Sequence, residues 1–158
     1  MAYFALKFIH VIGACVLLGT GAGIAFFMLM AHLTGNAVII AGVARIVVIA
    51  DYLFTATAVV VQPITGMALA AETGYALNEG WIALSMLLYL AIGAFWLPVV
   101  WMQSQMRNLA EAAVSERQPL PERYHRLYRA WFACGFPAFA AMLGIVWLMI
   151  TRPSFTLF

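Results

Sequence analysis

The residues of this chain best suited to chemistry are a histidine and a lysine set three apart, His10 and Lys7, inside a long apolar run. Three residues is nearly one helical turn, so both point the same way, and Ala14, Leu17 and Gly21 continue that stripe. An ionisable group at membrane depth is costly and marks a functional site unless a neighbour satisfies it. A neutral imidazole there has three uses: it ligates a metal or haem iron, passes protons, or hydrogen-bonds another helix. A second polar group lies further along the chain, where Asp51, Thr55, Thr57, Gln62 and Thr65 interrupt another apolar run.

The elements that must position these groups are membrane helices. The chain has 158 residues, 66% of them hydrophobic and 9% charged, and its mean hydropathy is +0.99. Soluble domains carry about a quarter charged residues, and a membrane-spanning helix needs roughly 20 apolar ones. Four stretches qualify, near 4–31, 44–71, 80–106 and 127–151. The sequence therefore predicts an all-α polytopic membrane protein, 1–158 forming a single domain of four transmembrane helices in an antiparallel bundle. The first stretch is longer than a signal-peptide core and holds Lys7 and His10, so it is expected to stay as a helix.

Five of the eight basic residues, Arg107, Arg117, Arg123, Arg126 and Arg129, fall in or beside the third connection, whereas the second carries Glu72 and Glu79 and no Lys or Arg. The positive-inside rule then puts the 107–126 loop in the cytoplasm and both termini outside a bacterial inner membrane. Cys15 and Cys134 lie in spans with no metal or redox spacing. Nucleotide loops, metalloprotease motifs, nucleophile triads and nucleic-acid modules are all absent from the sequence.

Depth connects the polar residues, because antiparallel helices join side chains only at equal height. Measured from the outer boundary, His10, Gln62, Ser85, Tyr89 and Met142 fall roughly 7–15 Å deep and are expected to share one layer. Lys7 and Arg152 sit above it, near the surface. Asp51 should lie about 10 Å inside and is expected to form a buried ion pair with Arg129, or with Arg126 beside it. Pro63 removes one backbone donor and frees the carbonyl of Val59, which predicts a kink. Gly19-x-x-x-Gly23 is expected to let a helix or a flat ligand approach closely. A bis-histidine haem does not suit this layer: His32 lies about 33 Å further along the same helix, and His125 belongs to the inner side.

Several segments carry a resemblance. Leu6-Lys-Phe-Ile-His10, the run from Gly19 to Phe27, Gln62-Pro-Ile-Thr-Gly66, Phe95-Trp-Leu-Pro-Val-Val-Trp101 and Arg152-Pro153 resemble a bacterial family of small four-span integral membrane proteins of unknown function. More distantly, Lys7, His10, His32, Pro63, Gly66, Pro137, Gly144 and Arg152-Pro153 are similar to positions of the J-type membrane protoporphyrinogen oxidases. That likeness implies haem b at His10; by their charge and depth, Lys7 or Arg152 is then expected near its propionates. Ser85 stands where that family has a lysine, and Cys134-Gly135 where it has Asn-Glu, so the oxidase activity does not carry over.

Three functions remain open on these residues. One is a haem- or porphyrin-binding redox protein with His10 as iron ligand and Gln62, Ser85, Tyr89, Met142, Lys7 and Arg152 around it. The second is a haem-free accessory subunit, packed as a homo-oligomer or within a larger membrane complex. The third is a small proton-coupled transporter using Asp51 and Gln62.

Overall fold

The computed structural model describes residues 1–155. Four long helices fill them: α1 (Ala2–Leu33), α2 (Ala37–Thr73), α3 (Gly80–Ser115) and α4 (Glu122–Thr151). Among the described residues there is no strand. All four helices are long and apolar enough to cross a membrane.

The turns are locally encoded. The Thr34 hydroxyl donates to the Ala31 carbonyl at 2.7 Å as α1 ends, and Gly35 takes the positive φ of 63° that reverses the chain. Asn36 then caps α2, its side-chain oxygen accepting from the Val38 amide at 2.9 Å. At the far end of α2, Gly74 stops the helix with φ of 74°. The α1–α2 and α3–α4 turns lie at one end of the bundle, called here the basic end. The α2–α3 turn and the N-terminus lie at the other, the terminal end.

The helices overrun the apolar spans, mostly at the basic end. α2 starts at Ala37, α3 runs to Ser115 and α4 starts at Glu122, so most of the expected 107–126 loop is helix. The reason lies in Arg107-Asn-Leu-Ala-Glu-Ala-Ala-Val-Ser115, a run dominated by good helix formers that continues α3 after its apolar stretch has ended. Arg45 is thereby a residue of the α2 body, set 4.0 Å from Glu111 of α3. Both side chains are largely exposed, so this pair adds little stability.

Packing is strong at the basic end and thinner above it. There Met28 of α1, Ile40 and Ala44 of α2, Met106 and Ala110 of α3, and Tyr124 of α4 form one core. A smaller cluster of Ala70, Trp81, Ile82 and Leu148 closes the terminal end. The first half of α2 packs on both α3 and α1, whereas its second half packs mainly on α1. The pairs α1–α2 and α3–α4 therefore diverge between the two cores. Large apolar side chains such as Phe8, Phe26, Leu90, Leu97 and Trp147 point outward, as expected where the surrounding solvent is lipid.

Gly19 and Gly23 do not bring a second helix of this chain close. A Cβ on Gly19 would meet nothing within 4 Å, and one on Gly23 would meet only Phe27 of its own helix. Close helix approach occurs at Gly13, where a Cβ would sit 2.7 Å from the side-chain amide of Gln62.

Candidate functional site

Polar side chains gather at two places, a seam between α1 and α2 and the floor of a cavity deeper in the bundle. In the seam, Gln62 reaches the backbone of α1 because Gly13 has no side chain. With its amide turned to satisfy both neighbours, Gln62 donates to the His10 carbonyl at 2.9 Å and accepts from the Ala14 amide at 3.2 Å. Those two groups are the ends of a single helical rung, so Gln62 bolts α2 onto α1.

His10 lies one turn away on the same seam. Its Nδ1 is 2.9 Å from Thr65 Oγ1, and the Thr65 hydroxyl donates its one hydrogen to the Val61 carbonyl at 2.8 Å. His10 and Thr65 thus share a hydrogen bond across the seam; in the tautomer that carries its hydrogen on Nδ1, the lone pair lies on Nε2. Gly66 packs beside the ring, where a Cβ would lie 3.3 Å from Cε1. This is the hydrogen-bonding arrangement that orients metal-ligating histidines.

The expected outer layer splits in two. His10 and Gln62 belong to the seam, whereas Tyr89 and Met142 line the cavity. Ser85 turns back to donate to the Trp81 carbonyl of its own helix at 2.7 Å. Lys7 lies over the Tyr3 ring. Arg152 sits over Tyr75 and Trp81 at the terminal end, with centroid distances of 5.7 and 5.8 Å. Depth alone joined these residues in the sequence; the direction each faces around its helix separates them.

Pro63 does free the carbonyl of Val59, and the hydroxyl of Tyr89 from α3 donates to it. The proline thus creates an acceptor that ties the two diverging helix pairs together.

The cavity occupies about 460 Å³ and is lined from all four helices, of which α1 and α4 make little contact with each other. On α1 its wall is Leu17, Gly21, Ala22 and Ala25, the lower part of the stripe that starts at His10; on α4 it is Gly135, Ala138 and Phe139. Small residues on both helices make the space. The floor is polar and starts where α2 widens into a π-turn over Asp51–Thr55, an irregularity frequent at functional sites.

Asp51 is 3% exposed and is not paired with Arg129. Trp96 of α3 donates to Asp51 Oδ1 at 3.2 Å. Gln103, in the amide orientation that satisfies both its ends, donates to Oδ2 at 3.1 Å and accepts from Trp131 Nε1 of α4 at 3.2 Å. Arg129 instead binds Glu122 at 3.2 Å near the exposed start of α4. The cause is azimuth: Trp131 faces the core, and two residues earlier on a helix is a rotation of about 200°. The Thr55 hydroxyl is buried at this floor beside the Asp51 carboxyl, one turn away on the same helix.

Sequence reasoning missed Trp96 and Gln103 as partners of Asp51, and Trp131 as the donor behind Gln103. Their signal was present: Gln103 is a lone amide within Val99-Val-Trp-Met-Gln103, at the depth of an aspartate that needs donors. Trp96 also borders a second hollow of about 420 Å³ between α2 and α3. At the basic end His32 stacks on Tyr128 at 3.6 Å and contacts the Tyr124 hydroxyl at 3.3 Å, so it is held in an aromatic cluster. Among the described residues no group of three or more His, Cys, Asp or Glu is placed to hold a metal ion.

Four apolar helices with charged residues gathered at their ends define a polytopic integral membrane protein. Residues 4–153 match the family described as predicted integral membrane protein (DUF2269), and the chain belongs to that family. Neither a curated protein nor a solved structure matches it.

Proposed function

We propose that this protein binds a lipophilic small molecule inside the bilayer, admitting it sideways between α1 and α4. The observation that carries this reading is the 460 Å³ cavity, lined mostly by apolar side chains with a few polar ones, Asp51, Thr55, Gln103 and Tyr89. Binding pockets have this size and this distribution of polarity. The family match supports membrane residence. The five arginines from Arg107 to Arg129 support a cytoplasmic basic end, with both termini outside a bacterial inner membrane.

The test uses the protein in lipid nanodiscs with 9-bromoanthracene, whose bromine quenches tryptophan. Trp96 and Trp131 line the cavity, so quenching should saturate in the wild type. In Ala138→Phe, which fills the space, saturable quenching should be lost while thermal stability is kept. Equal saturable quenching in both proteins would overturn the reading.

A second reading, haem b on His10, is favoured by one observation: Thr65 holds the ring through Nδ1, which leaves Nε2 outside that bond. Bound haem iron would supply one-electron redox chemistry. The chain's own part would be limited to His10 as ligand, Thr65 fixing its ring, and Lys7 or Arg152 near the propionates. The donor fits, but the 460 Å³ cavity does not include His10 and begins two turns further along α1, at Leu17. This reading requires a Soret band in protein from haem-replete cells, lost in His10→Ala. A featureless visible spectrum would eliminate it and leave the seam as helix packing.

A further inference from the structure

Resting on the cavity reading, we propose that the ligand is an aromatic organic cation held by Asp51. The first ground is charge. Asp51 is the one Asp, Glu, Lys, Arg or His residue among those lining the cavity, and among the described residues it has no salt bridge.

The second ground is the direction of the hydrogen bonds. Trp131 donates to Gln103, Gln103 donates to Asp51, and Trp96 donates to Asp51. Every bond in the chain ends on the carboxylate, so the protein stabilises Asp51 as an acceptor and supplies no positive charge to match it. A cation entering the cavity would supply the charge partner that the chain itself does not give this carboxyl group.

The walls suit such a cation. Phe132, Phe136 and Phe139 of α4, with Trp96 and Tyr89 of α3, line the same space, and ring faces attract organic cations, the more so away from water. The buried Thr55 hydroxyl adds a neutral polar group beside Asp51 and brings no charge to match it. An inorganic cation would find only Asp51 and Thr55 as ready oxygen donors, fewer than the six or more a hard divalent ion takes. An anion would meet the carboxylate and no basic side chain.

The experiment compares two ions of the same shape and opposite charge. Radiolabelled tetraphenylphosphonium and tetraphenylborate are titrated onto the full chain in nanodiscs of neutral lipid, with wild type, Asp51→Asn and Ala138→Phe in parallel. The proposal expects saturable binding of the phosphonium, at least tenfold weaker in Asp51→Asn and absent in Ala138→Phe, and no saturable binding of the borate. Equal binding of both ions, or phosphonium binding unchanged in Asp51→Asn, overturns cation selectivity. So does absence of phosphonium binding while 9-bromoanthracene still quenches; in each of these cases the cavity reading stands. Absence of binding by all three probes overturns both. If Asp51→Asn fails to fold, the wild-type contrast between the two ions decides alone.

Discussion

Replacing Gln103 with leucine is expected to destabilise the bundle by about 4 kcal/mol, as two buried groups each lose a partner at roughly 1–3 kcal/mol, more where one is charged. Gln103 is 3% exposed and serves both neighbours at once, accepting from Trp131 and donating to Asp51. Leucine matches its size and serves neither. Asp51 would keep only its bond from Trp96, and the Trp131 N–H would face an apolar side chain. The low dielectric that strengthens the complete network makes each remaining orphan expensive. The paired substitution Asp51→Leu with Gln103→Leu should recover part of the loss, because replacing both partners by apolar groups costs less than stranding one. Reversible unfolding in mixed detergent micelles measures this as a double-mutant cycle. A loss below about 1 kcal/mol for Gln103→Leu alone would mean that the amide does not link Asp51 to Trp131.

Gly13→Leu is expected to cost about 3 kcal/mol or more, through overpacking and through the loss of both Gln62 bonds. A Cβ at position 13 lies 2.7 Å from the Gln62 amide. That amide is the flexible end of a side chain and can swing aside, but doing so releases the His10 carbonyl and the Ala14 amide that it holds. The damage should stay on the α1–α2 seam. The α3–α4 pair, which packs through an extensive contact of its own, should be spared. Combining Gly13→Leu with Gln62→Ala should restore much of the stability by vacating the space. Detergent unfolding midpoints of the three variants give the result. An additive double mutant, with no recovery, would show that Gly13 and Gln62 do not share the seam.

The helices were legible in the sequence because lipid demands long apolar runs, and the four runs of this chain leave few other arrangements. Their ends were less legible. Apolarity stops near residue 106, but helix propensity does not, and α3 continues to Ser115. Pro63 is a case where local chemistry read correctly: the missing N–H frees Val59, and the structure supplies the Tyr89 hydroxyl. The π-turn at Asp51–Thr55 had no comparable signal, since nothing in Asp51-Tyr-Leu-Phe-Thr55 requires a wider turn.

The site was legible in depth and illegible in direction. His10, Gln62, Tyr89 and Met142 were expected in one layer, yet they face two different spaces. Asp51 needed a partner, and Arg129 was expected because opposite charges attract. Three neutral donors and acceptors, Trp96, Gln103 and Trp131, took that place because they face inward at the right turn. The cavity itself could not be read from the chain. It arises from where two helix pairs diverge, which depends on α2 contacting both α3 and α1 on its first half and mainly α1 on its second.

Diffraction from crystals grown in lipid and soaked with 9-bromoanthracene would test most directly whether this cavity is a binding site. The account predicts an anomalous bromine peak between α1 and α4, within reach of Ala138 and the Thr55 hydroxyl, and no such peak in Ala138→Phe. Bromine peaks confined to the outward lipid-facing surfaces, around residues such as Phe8, Leu90 and Trp147, would contradict it.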